Sequence, residues 1–142
     1  MDYFSEELLF LGVGMLFFVL IFGFFIVIVV RSRSRLDIEK DKEPLYTSTG
    51  GGRMGWLNYR GPFINLRIYD AFVVVSSFQT IVLRYDEIER VDIKKWMGAV
   101  ADRVQIVHHK ADAPGTIIIG TINPTQAKEI IDAHLPQRGQ RP

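Results

Sequence analysis

The sequence has no cysteine, so no disulfide framework can staple a small fold together. Between Leu8 and Val30 it also has no charged residue, no Asn, Gln or His, and no proline. A stretch this apolar has no stable place on a wet surface, and in lipid only a helix satisfies its own backbone hydrogen bonds. At a rise of about 1.5 Å per residue, a helix over residues 8–30 is long enough to cross a hydrocarbon core of roughly 30 Å. The sequence therefore predicts one transmembrane helix with a tethered domain. A secretory signal would carry its positive charge before a shorter apolar region and end in a small-residue cleavage site. Here Asp2, Glu6 and Glu7 precede the run, and the bases Arg31, Arg33 and Arg35 follow it.

A concentrated basic face is missing as well. From Pro44 onward twelve Lys/Arg stand against nine Asp/Glu, too small and too scattered an excess for nucleic acid. The bases that do cluster are the three arginines after the span. They predict a cytoplasmic C-terminal side at a bacterial inner membrane, with the N-terminus outside, and they can attract anionic lipid headgroups. The expected layout is a short extracytoplasmic tail at 1–7, the helix at 8–30, a flexible linker at 31–52, a β domain at 53–136 and a tail at 137–142. The linker assignment rests on the mixed-charge run Asp37–Glu43, on Pro44, and on the small polar tract TSTGGG.

Within the span, Gly12 and Gly23 lie eleven residues apart, near three whole turns, with Val19 between them on the same face. Small residues let a second helix approach closely, so this face is the candidate docking surface. The span has no imidazole for haem or a chlorophyll-type magnesium, and no cofactor is expected.

Past Arg53 the period changes from helical to two. Ile64, Leu66 and Ile68 alternate with polar neighbours, Asp70-Ala71 marks a turn into 72–77, and strands follow at 80–84, 88–94, 103–110 and 116–122. Ala113-Pro114-Gly115 separates the last two. With a leading strand at 54–59 the count is about seven. Leu66, Val74, Leu83, Ile106, Ile119 and Ile131 are expected in one core. The final segment NPTQAKEIIDAHLP carries a helix start, with Asn123 as cap, Pro124 at the first position and Gln126 at the third.

Two segments, IVLRYDEIERVDIKK and GTIIIGTINPTQAKEIIDAHL, lie in an order of elements that resembles the bacterial pleckstrin-homology-like (PH-like) family over about Met54 to Leu135. The resemblance implies a mainly-β domain, an antiparallel barrel or bent sandwich capped by a C-terminal helix. Eukaryotic lipid-binding relatives carry a basic cluster at their first hairpin, and the turn taken as its counterpart, Tyr69-Asp70-Ala71, has none.

No catalytic or metal-binding residues are assigned. His108 and His109 fall on opposite faces of a strand, and His134 has no companion at ligand spacing. Asp86, Glu87, Glu89 and Asp92 alternate with bases along a solvated face. Gly50–Gly52 lacks the residues of a phosphate loop. Trp96 and Met97, flanked by Lys94 and Lys95, are a candidate contact with a partner or the membrane. The expected function is a non-catalytic accessory or scaffold subunit docked on a larger integral membrane protein complex (respiratory, photosynthetic, transport or secretion), in contact with the lipid bilayer. No nucleic acid or small-molecule substrate is evident. The alternative is a tethered PH-like module that binds lipid headgroups or a soluble signalling partner.

Overall fold

The computed structural model describes residues 3–95 and 103–136. Helix α1 spans Tyr3–Arg33. Its window Leu9–Val27 is long and apolar enough to cross a membrane, and none of that window is buried by the rest of the chain. After a short 3-10 turn at Asp37–Glu39 come β1 (Tyr46–Met54), β2 (Leu57–Ile68), β3 (Phe72–Ser76), β4 (Thr80–Arg84), β5 (Ile88–Lys94), β6 (Arg103–His108), β7 (Thr116–Gly120) and helix α2 (Pro124–His134).

The strands form one antiparallel sheet in the order β4-β3-β2-β1-β7-β6-β5, curled into a half-barrel. All neighbours but one are sequence-adjacent hairpins; the exception is β1 against β7, which joins the two halves. The concave face buries Ile64, Leu66, Ile68, Val73, Val75, Leu83, Ile106, Ile117 and Ile119, and α2 closes it with Ala127 and Ile131. Helix α2 starts where its punctuation predicts: the Asn123 side chain accepts a hydrogen bond from the Gln126 N–H at 3.1 Å, and Pro124 occupies the first position without losing a bond.

Three expectations need correcting. First, the leading strand at 54–59 does not exist as one element, because Gly55 adopts φ +62° and turns the chain there. The first hairpin therefore turns at Gly55-Trp56, and Tyr69-Asp70-Ala71 is the second turn. Second, residues 46–52 of the expected linker are strand β1. Composition suggested coil, but Gly50 and Gly52 thread a seam no side chain could enter. A Cβ on Gly50 would come 1.9 Å from the Gly120 carbonyl oxygen, and one on Gly52 2.0 Å from that of Ile118. Third, Val74 is not in the main core. It points to the convex face with Tyr69 and Phe72, where Leu36 covers it, as the alternation along β3 demands once Val73 and Val75 face inward.

The β1–β2 ladder also slips. Gly50 pairs with Ile64 but Gly52 with Tyr59, so Gly51 alone faces the four-residue bulge 60–63. Gly61, at φ +101°, makes that bulge possible. From it the Phe63 ring meets Phe25 of α1 edge-on, with centroids 5.4 Å apart.

Candidate functional site

The segment between α1 and β1 is fastened by one carboxylate. Glu39 is fully buried, and its Oε1 accepts from Arg67 Nε at 2.6 Å and from the Tyr69 hydroxyl at 2.8 Å. Its Oε2 accepts from Arg67 Nη2 at 3.1 Å and from the Leu36 N–H at 2.7 Å. Arg67 Nη2 also donates to Ser76 Oγ at 3.0 Å and to the Ser34 carbonyl, at the foot of α1, at 3.5 Å. Burial by itself raises the Glu39 carboxyl, but the hydrogen bonds from Arg67, Leu36 and Tyr69 and the Arg67 charge hold it below the usual carboxylate range. Burial and then the Glu39 carboxylate push the Tyr69 phenol up. Lys42 lies over the Phe72 ring at 4.7 Å, covering the same face. The segment between α1 and β1 is thus part of the domain.

Next to the Phe63–Phe25 contact, the bulge opens a cavity of about 580 Å³ on the convex face, lined by Arg60, Arg103, Asn58, Thr121, Ile122 and the glycines 51, 61 and 120 among others. Among the described residues no carboxylate lines it, and the buried Thr121 hydroxyl has no hydrogen-bond partner. At the end of the half-barrel where β1–β2, β3–β4 and β6–β7 turn, a second hollow is lined by Trp56, Leu57, Phe78 and Pro114. Trp56 there is 85% exposed. Neither feature was read from the sequence. The bulge leaves no apolar signature, and the turn at Gly55-Trp56 was hidden inside an assumed strand.

The residues picked out by sequence fall in separate places. Gly12, Val19 and Gly23 are on bare helix, with nothing within 4 Å of a Cβ at either glycine. Arg31 and Arg33 lie in the last turn of α1, and Arg35 is exposed just after it. Lys94 and Lys95 are exposed at the end of β5; Trp96 and Met97 lie outside the described residues. The acidic face is ion-paired: Arg84–Asp86 at 3.2 Å, Lys110–Glu87 at 3.1 Å, and Arg90 with both Glu89 and Asp92. His108 is held within its own hairpin, its Nδ1 accepting from the Lys110 N–H at 3.2 Å and its Nε2 donating to the Pro114 carbonyl at 2.7 Å. His134 Nδ1 lies 2.7 Å from the Ile130 carbonyl, and its ring stacks on Tyr85. Among the described residues no group of His, Cys, Asp and Glu could hold a metal ion.

Comparison with known proteins gives no relative: no family model, no curated protein and no solved structure matches the chain. The chemistry available is that of these surfaces. A bare apolar helix can pack against lipid or another helix.

Proposed function

We propose that the chain is a non-catalytic, single-pass accessory subunit whose α1 crosses the inner membrane and docks on a larger membrane protein complex, while its β domain rests on that complex's cytoplasmic face. The observation that carries this reading is the buried Glu39–Arg67–Tyr69 cluster with its bond to Ser34. It joins domain to helix stiffly, so the domain stands at a set height beside whatever the helix packs against. A passive tether has no need of that stiffness. The open glycine face at Gly12 and Gly23, with Val19 between, supports a partner helix. The Arg31, Arg33, Arg35 cluster supports a cytoplasmic domain and an outer N-terminus. We assign the domain, by fold-level analogy, to the PH-like group, on its antiparallel half-barrel closed by a C-terminal helix. The exposed rim of Trp56, Leu57 and Phe78 favours a second reading, a module that touches lipid headgroups directly.

The test is gentle solubilisation followed by native electrophoresis. The parent chain should co-migrate with a large assembly. Gly12→Leu and Gly23→Leu should release it, whereas Phe17→Leu and Phe18→Leu should not. A parent chain that runs alone would sink the accessory-subunit reading. A cysteine replacing exposed Asp41 should label only after intact cells are opened; labelling from outside would reverse the orientation.

A further inference from the structure

We propose that the charge-free rim at the turn end of the half-barrel is a self-association surface, on which a second copy of this chain seats its Trp56 across a two-fold axis. The inference concerns the β domain and is indifferent to what α1 packs against. The hollow there holds about 640 Å³ and is lined by Trp56, Leu57, Tyr59, Phe78 and Pro114 among others, with no charged side chain among the described residues. Trp56, at 85% exposed, projects from its lip. A knob and a hole thus lie on one patch, as an isologous contact requires: the surface that inserts is also the surface that receives.

Charge decides the occupant. Around a two-fold axis each residue meets its own copy or that copy's near neighbours, so a charged rim would set like against like. A rim without charge escapes that cost. A different protein would find no charged group here to fix its register, and a lipid headgroup would find no cation. Hydrocarbon would leave the polar groups of three turns unpaired. One of those groups is specific. Tyr59 is only 8% exposed, its ring tilts against Phe78 with centroids 5.7 Å apart, and its hydroxyl has no hydrogen-bond partner among the described residues. Unlike the Thr121 hydroxyl, it is not sealed from the surface, and the indole N–H of the second copy's Trp56 can donate to it. Trp56 and Phe78 from each copy contribute about 150–250 Å² apiece when covered. Leu57 and Pro114 carry the contact toward the roughly 1,000 Å² of a specific interface.

The test uses the full chain in mild detergent. The sequence has no cysteine, so Thr80→Cys, exposed and just outside the hollow, supplies a single thiol beside the axis. Glu129→Cys, exposed on α2, supplies the control. A flexible bis-maleimide should link two chains through position 80 and not through position 129, read on a denaturing gel. In the Thr80→Cys chain, Trp56→Ala should lower the linked fraction about tenfold or more. Trp56→Glu and Trp56→Lys should each lower it as far when alone, and a mixture of the two should recover it, because opposite charges then meet at the axis. Circular dichroism should stay unchanged throughout, since Trp56 is almost bare. No linking at position 80, equal linking at both positions, full linking by Trp56→Ala, or a mixture that does not recover overturns the proposal. An emission shift on adding phosphatidylglycerol vesicles to a Trp96→Phe chain, whose one tryptophan is Trp56, together with full linking by Trp56→Ala, gives the rim to lipid instead.

Discussion

Glu39 sits among four donors with no water-facing surface, so its replacement is a test of how the segment between α1 and β1 is held. Glu39→Gln keeps the shape but leaves the Arg67 guanidinium buried without an anion. Removing one member of such a pair costs about 3–5 kcal/mol, to be read from urea melts followed by circular dichroism. Replacing both, Glu39→Leu with Arg67→Met, should recover much of that loss, because an apolar pair carries no desolvation cost. Acid should act on the same group. The folded carboxyl is held below its usual value despite burial, so the unfolded chain binds the proton more readily. The stability it contributes is complete above the ordinary glutamate value of about 4.3 and is lost as pH falls through the lower folded value. The Glu39→Gln chain should lack that part of the acid transition; an identical acid transition in both would refute the assignment.

At the level of elements, the β1–β7 seam depends on missing side chains. Gly50→Ala or Gly52→Ala would drive a methyl group into main-chain oxygen on β7, where nothing flexible can yield, and should leave little folded protein in a thermal melt. Gly115→Ala, with open space around it, should stay within about 0.5 kcal/mol of the parent. The same seam explains what could be read in advance. Ile64, Leu66 and Ile68 announced β2, and Asn123-Pro124 announced α2, because alternation and capping are local signals. Strand β1 announces nothing: its inward positions include Ser48 and Gly52, and it is a strand only because β2 and β7 bond to it on both sides. The cover over β3 was missed, although Phe72–Val75 is an unbroken apolar run, the mark of a strand buried on both faces. Arg67 counted in β2 as a polar position of the alternation, whereas the structure buries it against Glu39. The cavity was not legible, since it arises from a ladder slip that has no sequence period.

For the whole molecule, the boundary of the folding unit moves to the foot of α1. A chain beginning at Ser34 keeps the Glu39 cluster and all of β1, and should fold alone with strand-dominated circular dichroism and a cooperative melt. A chain beginning at Arg53, the boundary that composition suggests, loses the pairings of Tyr46–Gly52 with β2 and β7 and should fail to melt cooperatively; a cooperative melt there would show β1 to be dispensable. The sheet order has a further consequence for how the protein is made. Hairpins can close as each strand leaves the ribosome, but β1 stands at the middle of the sheet and needs β7, so it must wait through most of translation. A half-sheet with an open edge is the species most exposed to mispairing, and the speed at which β5, β6 and β7 are delivered sets how long that hazard lasts.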